Sequence, residues 1–203
     1  MNPGFMSLPD ERKDQIINAG FRVFSQNAYK KAPVAEIAME AGISKSLLFY
    51  HFKNKKELYL FLWNKVVELT SKELIEQDIL GTKDYFEMMM RSLKGKCNLM
   101  RKYPYASEFS LRAYYEQDPE VRNEIQDKFG EINTNSERKL FELIDTTGFR
   151  DDIDLHDMYQ EMIWAADGYM HMSIMGGNID ADKIESEFKK LIVMWRTVYC
   201  KSC

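Results

Sequence analysis

Apolar residues recur along most of this chain at intervals of three and four positions, the spacing that places side chains on one face of an α-helix. In the first third of the chain this pattern predicts four helices. They begin near Pro9, Pro33, Ser44 and Asn54. Further helices are predicted at about 83–102, 104–115, 119–145, 155–175 and 183–200. The sequence therefore predicts an all-α protein of about nine helices.

Capping residues mark the ends of the first helices. Ser7 is predicted to cap the first helix, because an acidic residue follows it three positions on. Gly42 supplies the backbone conformation of a tight turn between the second and third helices, and Ser44 caps the third. In that third helix Leu48 and Phe52 are predicted to face the core. Two helices joined in this way form a helix-turn-helix, whose second helix can enter the major groove of DNA.

The composition fits this interpretation and narrows the class of protein. With 203 residues, 45% of them apolar, the chain can bury a sizeable core, and five prolines with ten glycines are too few for a turn-rich all-β fold. No apolar run is long enough to span a membrane, and the first residues do not resemble a signal peptide. A cytoplasmic protein with no membrane partner is therefore expected.

Charge is distributed unevenly along the chain. Residues 1–66 contain ten Lys and Arg against six Asp and Glu, so that 18 of the 28 basic and 26 of the 32 acidic residues remain for 67–203. A basic N-terminal part and an acidic remainder fit a phosphate-binding surface confined to the N-terminal part. Ordinary surface variation is the alternative, because an excess of four positive charges is modest.

The segment from Ile16 to Phe61, IINAGFRVFSQNAYKKAPVAEIAMEAGISKSLLFYHFKNKKELYLF, closely resembles the DNA-binding domain of TetR-family repressors. Its marks are the strings AGISK, LFYHF and KxEL, the last from Lys55 to Leu58. The resemblance implies a helix-turn-helix domain over residues 1–53 and a helical effector-binding and dimerisation domain over 54–203. It also implies a homodimer that binds double-stranded operator DNA and is released by a small-molecule effector. No cofactor and no metal are expected.

The resemblance and the residue chemistry together point to a set of DNA-binding side chains. Hydroxyl, imidazole and ammonium groups are predicted to donate to phosphates, whereas Lys45, Ser46 and Leu47 are predicted to meet base edges. The full predicted set is Ser44, Lys45, Ser46, Leu47, Phe49, Tyr50, His51 and Lys55. Leu47 and Phe49 stand where the family often has hydroxyl-bearing residues, and Ala32-Pro33 where it usually has threonines, so fewer polar contacts are expected. Core packing is an equal alternative for Phe49.

The last two predicted helices have wide apolar faces. Small residues such as Ala166 and Gly168 would allow another helix to approach closely, and the stripe containing Trp195 is wide enough to serve both the core and a partner. A subunit interface is predicted here, with purely internal packing as the alternative.

Methionine and aromatic residues are abundant in the acidic part and suit an apolar or aromatic effector, although core packing is the stronger alternative for any one of them. The predicted ligand-binding residues are Tyr85, Met89, Tyr103, Phe109, Glu161, Trp164 and His171.

Other classes of protein are less consistent with the sequence. The one acidic cluster with a histidine, from Asp152 to Asp157, lies where carboxylates stabilise a helix N-terminus, and no nucleophile or phosphate-loop motif is present, so no enzyme is expected. A helical adaptor that binds protein remains the alternative. The three cysteines do not have the spacing of a zinc site, and a redox pair of Cys200 and Cys203 rests on spacing alone.

Overall fold

A computed structural model describes residues 2–177 and 179–201, so that Cys203 of the predicted redox pair lies outside the described residues. The described residues form ten α-helices and one short 3-10 helix, Tyr29–Lys31, and no strand. The α-helices are α1 Pro3–Met6, α2 Asp10–Gln26, α3 Val34–Glu40, α4 Lys45–His51, α5 Lys55–Glu76, α6 Tyr85–Lys102, α7 Pro104–Tyr114, α8 Arg122–Leu143, α9 Leu155–Met175 and α10 Ala181–Tyr199. The all-α prediction is confirmed, and α1 is the helix that the periodicity did not predict.

The start of α2 differs from the prediction. Pro9 is the N-cap residue and makes no side-chain cap. The negative charges of Asp10 and Glu11 in the first turn interact favourably with the helix dipole. The Ser7 hydroxyl instead donates to the Gly4 carbonyl at 3.0 Å, because Ser7 ends α1. The prediction that Ser7 caps α2 was wrong.

The helix-turn-helix has the predicted caps. Gly42 adopts a φ of +65° between α3 and α4, a conformation that glycine reaches without steric cost. The Ser44 hydroxyl oxygen accepts a hydrogen bond from the Leu47 amide at 3.1 Å and caps α4. At the start of α5, Asn54 Oδ1 accepts from the Glu57 amide at 2.8 Å.

The chain divides into two compact units. Unit 1 contains Met1–Leu69 and Tyr103–Ile132, and unit 2 contains Thr70–Lys102 and Asn133–Cys203. Unit 1 thus combines the helix-turn-helix with α7 and the first turns of α8. The predicted boundary after residue 53 falls inside this unit, and as a division between DNA binding and effector binding it stays a prediction.

An aromatic cluster joins α2, α5 and α7 in the core of unit 1. Phe109 of α7 is fully buried, with its ring centroid 5.5 Å from that of Phe21 and 5.0 Å from that of Tyr59. Phe24 lies 4.9 Å from Tyr59 in an edge-to-face arrangement. Such pairs add to the free energy of burial, so α7 is an integral part of the core behind the helix-turn-helix.

Unit 2 is built around α6 and α10, with α8 and α9 packed beside them. Ile192 and Trp195 of α10 are buried in one cluster with Tyr85 and Phe86 of α6. The ring of Tyr169 in α9 lies 5.0 Å from that of Phe188 in α10. None of the helices within the described residues combines the length and the apolar character needed to cross a membrane.

Candidate functional site

Helix α4 presents one polar face to solvent, as predicted. Lys45 and Ser46 are exposed, Leu47 is more than a third exposed, and Tyr50 is 61% exposed. The Ser44 and Ser46 hydroxyls lie 2.9 Å apart at the start of the helix. These side chains together form a surface with a positive charge, hydroxyl groups and one apolar contact, which is the chemistry that reads base edges and phosphates.

The opposite side of α4 holds the helix in unit 1. Leu48 and Phe52 are completely buried, as predicted from the helical period. Phe49 is half-buried, and the Lys45 ammonium lies 5.9 Å from the centre of its ring. Phe49 is thus available to both of the roles considered for it.

His51 departs from its predicted role. Its side chain is only 4% exposed, its Nδ1 is buried without a hydrogen-bond partner, and the Phe5 ring lies 5.7 Å away. This burial argues against the predicted donation to a phosphate. Burial also lowers the pKa of His51, because the charged imidazolium is poorly solvated there.

The lowered pKa makes the stability of unit 1 dependent on pH. As the pH falls below about 6.5, the unfolded chain binds a proton at His51 before the folded chain does, so the free energy of unfolding decreases. The stability associated with the uncharged, buried His51 side chain is fully present above about pH 6.5. We expect the melting temperature to fall between pH 7.5 and 5.5, and His51→Gln to reduce that fall. Equal pH dependence in the wild type and in His51→Gln would contradict the assignment.

Lys55 is held by the backbone of unit 1. Its ammonium donates to the Lys30 carbonyl at 3.1 Å and to the Ala32 carbonyl at 2.9 Å, and it lies 5.1 Å from the Tyr29 ring. Burial lowers the pKa of this ammonium. Two of the three N–H donors of Lys55 are thus engaged, and only one is left for the predicted phosphate contact. The main role of Lys55 is to hold the chain between α2 and α3 in place.

Arg12 was not predicted as a site residue, but the fold brings it to the helix-turn-helix. Its guanidinium donates to the Ala41 carbonyl at 3.3 Å, across 29 positions of the sequence, and it lies beside Gly42. Arg12 is itself exposed, so it adds a cation next to the turn before α4. Only the packing of α2 against α3 reveals this placement.

The seven predicted ligand-binding residues are distributed over both units. Phe109 belongs to the aromatic core of unit 1, and Tyr103 is partly exposed at the start of α7. In unit 2, only Tyr85 and Met89 share an apolar cluster. The other three lie exposed on α9, and they are Glu161, Trp164 and His171. The prediction was made from residue type, and exposure argues against these three as lining residues of a cavity within one protomer.

Unit 2 also has a shallow cleft of about 330 Å³. Its lining is mostly charged and consists of Gln77, Glu87, Met90, Arg91, Lys94, Glu185 and Lys189. None of the predicted ligand-binding residues lines it, and its charges pair with one another, as in the bridge between Arg91 and Glu87 at 2.9 Å. This cleft does not have the apolar chemistry expected for the effector.

Exposed apolar side chains lie on both α9 and α10 and are together termed the uncovered apolar face. Trp164 is 69% exposed, and a Cβ added to the neighbouring Gly168 would meet no atom within 4 Å. The exposed apolar residues of these two helices are Ile163, Trp164, Met172, Met175, Val193, Met194 and Val198. Trp195, by contrast, is buried inside the protomer.

Known proteins are similar to this chain in sequence and in fold. The model for bacterial regulatory proteins of the tetR family matches residues 16–61. YerO of Bacillus subtilis (strain 168), an uncharacterized HTH-type transcriptional regulator, is 25% identical over 186 residues, which cover 87% of this chain and 62% of YerO. The HTH-type transcriptional regulator HbdR of Aromatoleum sp. (strain CIB) is 30% identical over 128 residues, covering 63% of this chain and 55% of HbdR.

The fold similarity extends over the whole chain. A crystal structure of a TetR family transcriptional regulator from Chloroflexus aurantiacus J-10-FL matches with a TM-score of 0.70 and 16% identity, covering 99% of each chain. The matched part spans less than two thirds of the length of YerO and of HbdR. The family match falls on the segment that contains α3, the Gly42 turn and α4. The match of residues 16–61 to the tetR-family model, the similar HTH-type regulators and the shared fold together indicate a TetR-family transcriptional regulator.

Proposed function

We propose that this protein is a cytoplasmic homodimeric repressor that binds operator DNA through α4 and is released by a small apolar or aromatic effector. The observation that carries the proposal is the outer face of α4, where Lys45, Ser46 and Tyr50 are exposed while Leu48 and Phe52 anchor the helix. A short helix held from one side and polar on the other is suited to the major groove.

Within this surface the side chains have different tasks. The capped N-terminus of α4 carries the positive end of the helix dipole, which favours a phosphate, and the Tyr50 hydroxyl can donate to another. Lys45 can address guanine O6 and N7, and Leu47 offers an apolar contact to a thymine methyl. Sequence preference therefore rests mainly on Lys45 and Leu47, and general affinity on the phosphate contacts.

The test is binding to duplexes that the wild-type protein selects from a random pool. Affinity is expected to fall steeply between about 50 and 200 mM salt, because phosphate contacts release counterions. Lys45→Ala should weaken binding to the selected duplex by about 1–3 kcal/mol and binding to random duplexes much less. Lys139→Ala, which removes an exposed lysine from α8, is the charge-matched control. An equal loss on both kinds of DNA would make Lys45 a phosphate ligand.

The uncovered apolar face supports the dimer. A large exposed apolar patch is uncommon on a monomer and marks an interaction surface. Gly168 lies on the same side of α9 as Trp164 and Met172, and its lack of a side chain serves no contact within the protomer. A second copy packed here would bury the tryptophan and use the close approach that glycine allows.

For the effector we propose the methionine-rich cluster of unit 2. The Tyr85 hydroxyl is buried and lies 3.4 Å from the Met162 sulfur, a weak acceptor that a better ligand acceptor could replace. Met89 is half-buried in the same cluster, and methionine side chains adapt to ligands of varied shape. A screen of apolar and aromatic compounds by melting temperature tests this. Hits that bind Tyr85→Phe as tightly as the wild type would remove Tyr85 from the site.

A further inference from the structure

Helix α1 contacts the end of α4, the helix proposed to enter the major groove. The Asn2 amide donates to the His51 carbonyl at 2.8 Å, and Asn2 Oδ1 accepts from the Gly4 amide at 2.9 Å. The last carbonyls of a helix have no partner within that helix. Asn2 thus satisfies a carbonyl at the C-terminal end of α4, opposite the end that Ser44 caps.

Phe5 anchors this contact. Its side chain is 1% exposed, and its ring centroid lies 5.7 Å from His51, 4.9 Å from Phe52 and 5.2 Å from Phe61 of α5. One ring therefore packs against both the end of α4 and the helix that follows it. A helix of seven residues has little stability of its own, so packing of this kind decides its orientation.

The same segment lies beside Tyr50, the most exposed aromatic side chain of α4. A Cβ built on Gly4 would be 3.7 Å from Tyr50 Cε1 and 3.9 Å from its hydroxyl oxygen, so the Gly4 backbone is close to the phenol. The His51 ring contacts Tyr50 from another side, with the centroids 5.5 Å apart. The position of a side chain proposed to meet DNA is thus set in part by α1.

We propose that residues 2–7 form a clip that orients α4 for sequence-specific binding, with Phe5 as a positioning residue that acts through His51 and Phe52. Residues 2–7, with the sequence NPGFMS, contain no charged side chain. The clip therefore adds no phosphate attraction of its own, and its loss should reduce the preference for the selected DNA without changing the salt dependence. This role rests on the proposed DNA binding, but the clip itself can be measured without DNA.

The first experiment is amide hydrogen exchange of the full-length protein without DNA. In the wild type, the Phe52 amide donates to the Leu48 carbonyl at 2.9 Å at the end of α4. Phe5→Ala should accelerate exchange at Phe52 and its neighbours. The matched control is Met6→Ala in the same short helix, because Met6 is 59% exposed and should have no effect. Equal exchange in the two variants would overturn the clip.

The second experiment compares DNA binding by the same proteins, with the active fraction measured by titration. Phe5→Ala should bind the selected duplex about 5- to 150-fold more weakly, which corresponds to the loss of one good base contact. Its affinity for random duplexes should stay within about twofold of the wild-type affinity. The slope of affinity against salt should not change. Phe5→Leu, which keeps most of the apolar volume, should restore much of the preference. Phe5→Val, with a smaller side chain, replaces Phe5→Ala if that variant does not fold.

The outcomes separate the clip from the proposed function. Faster exchange with unchanged preference for the selected duplex would overturn the positioning role. A proportional loss on both kinds of DNA, with a lower active fraction, would mean that Phe5 serves stability alone. If the wild type binds no DNA in a salt-dependent way, the proposed function fails, and the exchange measurement still decides whether residues 2–7 hold α4.

Discussion

Phe109→Ala is expected to lower the free energy of unfolding by about 3–5 kcal/mol, the usual cost of removing a fully buried phenylalanine. The Phe109 ring has no exposed surface and contacts the rings of Phe21, Phe24 and Tyr59, so its removal leaves a cavity between α2, α5 and α7. Urea denaturation followed by circular dichroism measures the loss. Tyr105→Ala, at an exposed position of the same helix, should change the stability far less.

The same variant tests the ligand-binding role predicted for Phe109. A residue of the rigid core affects effector response only through stability, whereas a lining residue affects it directly. A Phe109→Ala protein that kept wild-type stability but lost its response to an effector would contradict the assignment to the core.

Trp164→Glu combined with Val193→Glu is expected to convert the proposed dimer into monomers at micromolar concentration. Both positions lie on the uncovered apolar face, and a symmetric interface would place four carboxylates in an apolar contact. Each monomer could then hold only one half-site, so affinity for the selected duplex should fall on the order of 10²- to 10⁴-fold.

Mass measurement in solution checks the first expectation, and binding to full and half duplexes checks the second. Both residues are exposed in the protomer, so the melting transition should persist. Trp195→Glu is unsuitable for this purpose, because Trp195 is buried and a charge there would disrupt unit 2. Ser136→Glu, which introduces the same charge at an exposed position of α8, is the control. A monomeric wild-type protein, or a double variant that remains dimeric, would contradict the proposed interface.

Periodicity and capping predicted most of the helices, because these signals are local. Leu48 and Phe52 are buried where the helical period puts them, and Gly42 and Ser44 have the conformation and the hydrogen bond that their residue types favour. Helix α1 has only four residues and therefore shows no period. For the same reason the sequence could not show that Ser7 ends α1 instead of capping α2.

The environment of individual side chains was less predictable, since it depends on distant segments. His51 adjoins the exposed Tyr50, but Phe5 covers it from 46 positions earlier in the chain, by the numbering. Phe109 and Trp164 are both large and apolar on predicted helices, yet one is enclosed and the other exposed. Residue type cannot separate a core position from a subunit interface, because both favour the same apolar side chains.

Unit 1 is built from two separate segments of the chain, and this limits how the protein can be recombined with its relatives. A chimera made by joining the first 53 residues to another family member would leave behind Tyr59 and Phe109, which complete the packing around Phe24. In such a chimera Phe24 and the aromatic side chains around it would be exposed, unless the recipient protein has side chains that pack against them. An exchange of DNA specificity that keeps this core intact therefore has to transfer residues 54–69 and 103–132 as well, or has to be confined to the outer face of α4.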